Sequence, residues 1–398
     1  MKKLVNYNIS NKKVIFRADL NVPVVDKKIT DYSRINSIIP SLNELIKNNN
    51  KVFIIAHFGR PKGKIIKKDS LRFLCEELKN RLDLNRIYFL ETLNTELIKQ
   101  KINEMNDGEV CLLENIRFET GEEKNDLSFS KNVSSNFDIY VNDAFSASHR
   151  SHSSIVGIPK FLPAVAGLSL IKEIENLDYF LNNSKKPNLA IIGGSKISTK
   201  INVIYNLIDL FDTIVVGGAM ANTFLLANNI SIGNSLVEED FISTAKDIRQ
   251  KAEINNCKII LPIDVVCSKN LKDKNNIRNC YVDNIFKDHM ILDIGPKTIN
   301  LISKEILKSQ SILWNGPLGA FEYKPFDVSS INVANAIKNH AINLNIDTLA
   351  GGGDTLAAIN LTNTKDGFSY LSNAGGAFLE WLEGNESPGI RALKSNNF

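Results

Sequence analysis

The chain has 398 residues, 43% hydrophobic and 23% charged, which excludes wholesale disorder and, at roughly 150 residues per domain, a single small core. Its 48 Lys and Arg against 44 Asp and Glu leave a formal charge of +4, short of a nucleic-acid binder's basic footprint, so any basic site has to be local. Cys75, Cys111, Cys257, Cys267 and Cys280 contain no CxxC pair and are too few to staple a chain of this length, which points to reduced thiols and a cytoplasmic protein.

After Met1-Lys2-Lys3 only Leu4 and Val5 precede Asn6, whereas a signal peptide needs about 7 to 15 apolar residues. The longest apolar run, Phe161 to Ile171, is shorter than the ~18 residues of a membrane span, so a soluble chain with no membrane partner is expected.

Taken in order, Val14-Ile15-Phe16 is β-branched and aromatic, and Ile35, Ile38, Ile39, Leu42, Leu45 and Ile46 then recur with a helical period before Val52-Phe53-Ile54-Ile55. Further strands are expected at Val110 to Leu113 and Ile139-Tyr140-Val141. These runs are continuously apolar, as in a parallel sheet covered on both faces. Ala164 to about Asn183 reads as a helix without a strand, closed by Lys185-Lys186-Pro187, because proline disfavours helix at the residue before it. A second series of apolar runs follows at Leu189 to Ile192, Thr213 to Val216, Lys258 to Leu261, Ser311 to Trp314 and Thr348 to Ala350. The expected fold is α/β: two doubly wound, Rossmann-like parallel-sheet domains, residues 1–165 and 187–384, joined by a hinge helix over 166–186.

Ligands of open α/β sheets collect at the carboxyl ends of strands. In the first half those ends deliver Arg17-Ala18-Asp19-Leu20-Asn21, His57-Phe58-Gly59-Arg60, Glu114-Asn115-Ile116-Arg117 and Asn142 to Phe145, with His149-Arg150 shortly after and Arg34 at the start of the first helix. A single arginine is ordinarily a solvated group or half of a weak ion pair, and a single histidine a core imidazole or a helix cap. Arginines recurring at successive strand ends fit a small polyanion, which guanidinium groups grip bidentately.

The second half delivers glycines instead: Gly193-Gly194-Ser195-Lys196, Gly217-Gly218-Ala219-Met220, Trp314-Asn315-Gly316-Pro317 and Gly351-Gly352-Gly353-Asp354-Thr355. One Gly-Gly pair is usually a turn. Four such clusters, each expected to close a strand and open a helix, suit a nucleotide whose phosphates approach backbone N–H groups. Lys196 and Lys200, four apart, are expected on one helical face aimed at the same anion. Asp354 is expected to cap the last helix or to hold Mg²⁺ with the phosphates, and Glu322 to accept from ribose hydroxyls. Neither a Walker A loop nor a Gly-x-Gly-x-x-Gly fingerprint is present, which counts against a P-loop enzyme and against a nicotinamide dehydrogenase. A two-domain anion-binding protein without catalysis stays open at this level.

In order along nearly the whole chain, Arg17-Ala18-Asp19-Leu20-Asn21-Val22-Pro23, His57-Phe58-Gly59-Arg60-Pro61, Glu114-Asn115-Ile116-Arg117-Phe118, Gly193-Gly194-Ser195-Lys196, Trp314-Asn315-Gly316-Pro317 and Gly351-Gly352-Gly353-Asp354-Thr355 resemble the phosphoglycerate kinase family. The resemblance implies reversible phosphoryl transfer in glycolysis from 1,3-bisphosphoglycerate to Mg-ADP, giving 3-phosphoglycerate and ATP, by domain closure in a cytoplasmic monomer with no nucleic-acid partner. It implies that Asp19, Leu20, Asn21, Arg34, His57, Phe58, Gly59, Arg60, Arg117 and Arg150 hold the phosphoglycerate. It likewise implies that Lys200, Gly217, Gly218, Glu322, Gly352, Gly353, Asp354 and Thr355 hold the nucleotide, Asp354 through Mg²⁺. Arg34, Lys196, Lys200, Gly375 and Gly376 are the implied catalytic groups, and residues 385–398 are expected to pack back on the first domain. One departure stands out: the family usually has Thr-Gly-Gly-Gly before its final helix, and this chain has Asn373-Ala374-Gly375-Gly376. Either Ala374 has ordinary backbone angles or the loop is altered.

Overall fold

Each apolar run expected above to be a strand forms one, to within a residue at its ends, in the computed structural model, which describes residues 1–273 and 275–398. The first sheet is built from β1 (Lys13–Arg17), β2 (Lys51–Ile55), β3 (Tyr88–Leu90), β4 (Val110–Leu113), β5 (Ile139–Asn142) and β6 (Ala164–Ala166), all parallel, in the order β3-β4-β2-β1-β5-β6. Helix α1 (Ser33–Lys47) lays Ile35, Ile38, Leu42 and Leu45 in one core cluster with Val14, Phe16, Val52 and Ile54, so the 3.6-residue stripe of a helix meets alternate residues of two strands. All eight are fully buried, and truncating one of the leucines to Ala removes about 2–5 kcal/mol.

The chain does not run directly from β5 into helix. Ala164–Ala166 pairs with Tyr140 to Asn142 as an edge strand, and α2 covers only Leu168–Asn182, which corrects the strandless helix expected there. Three small residues carry no hydrophobic period of their own, so their strand character comes from the pairing partner.

The second sheet comprises β7 (Asn188–Ile192), β8 (Thr213–Val216), β9 (Lys258–Ile260), then, after an excursion, β13 (Ser311–Asn315), β14 (Asp347–Gly351) and β15 (Tyr370–Ser372). It is parallel, in the order β9-β8-β7-β13-β14-β15. The excursion is a small antiparallel sheet of β10 (Asp264–Ser268), β11 (Arg278–Tyr281) and β12 (Met290–Ile294), with β10 in the middle. The helices that matter below are α3 (Ile201–Ile208), α4 (Met220–Ala227), α5 (Pro296–Lys308), α6 (Val328–Leu344), α7 (Gly353–Leu361) and α8 (Gly376–Leu382).

Contacts group the chain into two compact units, residues 1–175 with 386–398, and residues 176–385, the division falling inside α2. Helix α9 (Pro388–Lys394) thus belongs with the first sheet: Gly389 N donates to Ser148 O at 2.8 Å, and the Asn396 amide donates to Pro159 O and Leu162 O at 2.7 and 2.9 Å. The five cysteines are free thiols, three of them buried. Among the described residues, no helix is long and apolar enough to cross a membrane.

Candidate functional site

In an open α/β sheet the loops diverge where strand order reverses, leaving a crevice for ligands. In the first unit that point lies between β1 and β5.

Arg17, the last residue of β1, is only 1% exposed and faces inward. Its Nε donates to Ser154 Oγ at 2.9 Å, it also bonds Ala18 O, and its Nη2 lies 3.1 Å from His57 Nδ1. Guanidinium nitrogen only donates, so Nδ1 accepts and the His57 proton sits on Nε2. Burial first, then Arg17, Arg117, Arg150 and Arg34, hold His57 well below the usual histidine range, which keeps the imidazole neutral. Four arginines from separate segments therefore act on one buried ring.

Asp19, in the loop after β1, ties two of those segments together. One carboxylate oxygen accepts from Arg34 Nη1 at 2.9 Å, and the other accepts from Ser146 Oγ in the loop after β5. Asn21 Oδ1 accepts from Gly59 N at 3.0 Å, while Asn115 accepts from Phe58 N at 3.2 Å and donates to Phe58 O at 2.7 Å. Arg117, 2% exposed, donates from Nη1 to Gly59 O at 2.6 Å, and its buried Nε makes no hydrogen bond but lies 3.5 Å from Glu123 Oε1 in an ion pair. Burial, then Arg150 and Arg17, push the Arg117 guanidinium down to about 10. His152 is pushed down to about 4 by burial and by Arg117, Arg150 and Arg17, with His149 adding to it. Such crowding of like charge is relieved by a bound anion, and each charge-assisted bond then contributes about 1.5–3 kcal/mol.

Not every residue of the expected set joins the cluster in the same way. Leu20 is fully buried in the apolar core, so only its backbone is available to a ligand. Phe58 stacks edge-on against Phe73 with ring centroids 5.3 Å apart, and Arg60 is exposed.

In the second unit the order reverses between β7 and β13, and the two strand ends are joined by Gly193 N donating to Asn315 O at 3.0 Å. Gly316, with φ +97°, packs so closely that a Cβ would lie 2.2 Å from Gly193 O; only glycine fits. Gly218 is held likewise, with φ +68° and a would-be Cβ 2.5 Å from Gly194 O.

Lys200 lies across this junction. Its Nζ donates to Gly193 O and, at 3.0 Å, to Asn315 O. Burial lowers its pKa to about 8, against a smaller upward pull from Asp354. Lys196 is exposed, with extended backbone angles, and a single 3₁₀ turn, Ile197–Thr199, separates it from Lys200, itself the residue before α3. The two lysines do not share a helical face, correcting that expectation.

Asp354 is also displaced from its expected place: Gly352 is the N-cap of α7, and Asp354 sits exposed in the first turn. Thr355 is buried, and its hydroxyl oxygen accepts from Gly316 N at 2.7 Å, tying α7 to the β13 loop. That loop runs from Gly316 to Asp327 before α6 begins, so Trp314-Asn315-Gly316-Pro317 does not open a helix directly. Gly375 and Gly376 are exposed at the start of α8, and Gly375 has open space where a side chain would stand. Ala374 is absent from the residues with positive φ, so its methyl group meets no backbone strain.

A cavity of about 380 Å³ opens beside these loops, lined by Gly194, Gly218, Asn222, Leu236, Leu318 and Phe321, together with Glu322 and Asp354. The sequence offered no signal for Asn222, Leu236 or Leu318, because a wall assembled from separate loops has no period. Gly217 is buried and packs against Leu318, which makes it part of that wall's support. Among the described residues no cluster of three or more His, Cys, Asp or Glu is arranged to hold a metal ion.

The family model for phosphoglycerate kinase matches residues 4–385. A phosphoglycerate kinase of Chelativorans sp. (strain BNC1) is 44% identical over 387 residues, covering 97% of each chain. One of Rhizobium meliloti (strain 1021) is 44% identical over 390 residues, covering 98% of each. The solved structure of phosphoglycerate kinase from Coxiella burnetii matches with a TM-score of 0.89 at 36% identity, over 100% of this chain and 99% of that one. The enzyme from Pyrococcus horikoshii OT3 matches with a TM-score of 0.83 at 29% identity, over 99% and 98%.

Proposed function

The chain belongs to the phosphoglycerate kinase family, a class of phosphotransferases acting on a carboxyl group, and from that premise we propose that it moves a phosphoryl group reversibly from 1,3-bisphosphoglycerate to ADP by positioning and charge neutralisation alone. The observation that carries the reading is the pair of anion-binding sets at the two sheet reversals, arginines at one, glycine amides with a buried lysine at the other.

In this reading the phosphoglycerate occupies the first unit. Arg34, Arg117, Arg150 and Arg60 neutralise its phosphate and carboxylate. Asn21, His57 Nε2–H and the backbone from Asp19 to Asn21 and from Phe58 to Gly59 supply neutral hydrogen bonds. Asp19 contributes by holding Arg34 in place. The nucleotide occupies the second unit, with the base in the cavity, the ribose at Glu322, and the phosphates at Lys200, Gly218 and the Gly352-Gly353-Asp354-Thr355 helix start, where backbone N–H groups point outward.

The accepting carboxylate of 3-phosphoglycerate is ionised at pH 7, so no base is needed to remove a proton. What the chain must do is balance charge spread over a metaphosphate-like group, a task the proposal gives to Arg34, Lys196, Lys200 and the exposed N–H groups at Gly375 and Gly376. With a pKa of about 8, Lys200 is protonated at neutral pH and available for it. Mg²⁺ fits the donor set as an ion that keeps most of its waters and takes one carboxylate, Asp354, besides the phosphates. When bound it supplies neutralisation of the terminal phosphate oxygens. Because the two ligands sit on separate units, transfer requires closure, which the proposal assigns to bending about α2, and closure also excludes water. A cytoplasmic monomer is part of the same reading, in keeping with five free thiols.

A coupled assay of ATP-dependent 3-phosphoglycerate phosphorylation, with and without Mg²⁺, tests it. The expected result is turnover that needs all three components. Tight binding of phosphoglycerate without ATP turnover would instead favour a non-catalytic anion binder.

A further inference from the structure

We infer that Glu122, which stands outside the anion-binding set, is a positioning residue of the phosphoglycerate site: through Ser154 it holds Arg17 against His57 and withholds that arginine from the ligand. The inference rests on the reading that the first unit takes phosphoglycerate and that His57 offers it Nε2–H. It separates the arginines that grip the ligand from one that orders the site.

Glu122 lies in a single helical turn, Thr120–Glu123, and is fully buried, as is Ser154. Ser154 Oγ accepts from Arg17 Nε at 2.9 Å, and the one hydrogen of that hydroxyl goes to Glu122 Oε1 at 2.6 Å. Ser154 N donates to Glu122 Oε2 at 2.8 Å, so both carboxyl oxygens accept, as those of an ionised carboxylate do. The Ser154 carbonyl is pinned in turn by the Tyr140 hydroxyl at 2.7 Å. With Nε fixed in this way the guanidinium cannot rotate freely, and its Nη2 donates to His57 Nδ1, leaving Nε2–H as the ring donor for a ligand.

A buried carboxylate needs a countercharge. Burial pushes the Glu122 carboxyl up, and Arg17 leads the groups that oppose the shift. His152 Nδ1 lies 3.7 Å from Oε1, but its pKa of about 4 leaves that ring neutral at pH 7. Arg34 and Arg117 have carboxylates of their own, Asp19 at 2.9 Å and Glu123 at 3.5 Å, and the Arg34 and Glu123 side chains keep 24% and 39% of their surface. Water reaches those pairs, so an incoming anion can take up the guanidinium while the carboxylate turns to solvent. Drawing Arg17 away would instead leave Glu122 uncompensated in the interior, which is strongly unfavourable.

The first test needs no variant. In NMR of the full chain the His57 ring should carry its proton on Nε2 and none on Nδ1, and on titration with 3-phosphoglycerate the Arg17 Nε–H signal should shift less than those of Arg34 and Arg117. A proton on Nδ1, or an Arg17 signal that shifts as far as the other two, overturns the inference. No response of any signal to the ligand overturns the phosphoglycerate reading beneath it. In Glu122→Gln and in Ser154→Ala, His57 should become a mixture of tautomers, and KM for 3-phosphoglycerate should rise about three- to tenfold, the loss of one neutral hydrogen bond, with kcat and KM for ATP within about twofold. The double variant should match Ser154→Ala, because Glu122 acts through that serine. A raised KM with the tautomer unchanged assigns Glu122 to packing, and additive effects in the double variant remove Ser154 from the route; either result overturns the inference.

Discussion

Lys200→Met should make the second unit less dependent on pH while weakening its hold on nucleotide. A free lysine titrates near 10.5 and Lys200 near 8, with burial as the main cause. At about 1.4 kcal/mol per pH unit, the folded state bears a penalty of about 3 kcal/mol for keeping this ammonium charged. The sign follows from proton counts: between pH 8 and 10.5 the unfolded chain holds the proton and the folded one has shed it, so wild-type stability rises with pH across that window. Methionine has nearly the same length and no charge, so it abolishes both the penalty and the rise. Against this, the Gly193 and Asn315 carbonyls lose the Nζ donor, which costs roughly 1–3 kcal/mol, leaving the variant between equal and about 2 kcal/mol more stable at pH 7. Urea unfolding followed by tryptophan fluorescence measures this cleanly, because both tryptophans, Trp314 and Trp381, belong to the unit of residues 176–385. Run at pH 7.5, 8.5 and 9.5, the wild type should gain on the variant at each step, by roughly 1 kcal/mol per pH unit. In parallel ADP affinity should fall about tenfold or more, the loss of one charge-assisted bond, with phosphoglycerate affinity unchanged. A stability difference that does not vary with pH, or a larger loss for phosphoglycerate than for ADP, refutes the reasoning.

Arg34→Ala should lower kcat by about a hundredfold or more while ADP affinity stays within twofold, and an unchanged kcat in the coupled assay would remove Arg34 from the transfer step. Gly316→Ala forces a Cβ to 2.2 Å from Gly193 O at φ +97° and should destabilise the second unit by about 2 kcal/mol or more, read from the same tryptophan signal. Asp354→Asn keeps the shape of an exposed first-turn residue and should leave that unfolding midpoint nearly unchanged while raising the Mg²⁺ concentration for half-maximal rate; an unaltered Mg²⁺ profile counts against Asp354 as its ligand.

Where a pattern repeats over a dozen residues, the sequence carried the structure. The stripe Ile35, Ile38, Leu42, Leu45 and the solid apolar runs of β1, β2, β7 and β13 report burial against neighbours that any parallel sheet would supply. Short elements that borrow their order from a partner were not legible. Ala164–Ala166 is a strand because Tyr140 and its neighbours pair with it, and Arg278–Tyr281 is largely exposed and shows no apolar run. The lysines illustrate a second limit. A spacing of four places two side chains on one face only if the backbone between them is α-helical, and Lys196 at φ −133°, ψ 128° is extended. Residue types at strand ends were readable as chemistry, and the arginine and glycine sets follow from them. Which arginine turns inward was not: Arg17 is consumed by Ser154 and His57, a partnership spanning 137 residues of sequence for the serine.

The bond from Gly389 N to Ser148 O, and those from Asn396 to the carbonyls of Pro159 and Leu162, bear on the order in which the protein is completed. A ribosome makes residues 1–175 first, yet their unit lacks α9 until the whole of residues 176–385 has been synthesised. Domains ordinarily finish in the order they are made. Here the second unit, contiguous in sequence, has all its parts while the first still waits for thirteen residues, so the earlier unit is the later one to close its surface, and the nascent chain must keep that seat beside Ser148 and Pro159 uncovered in the meantime.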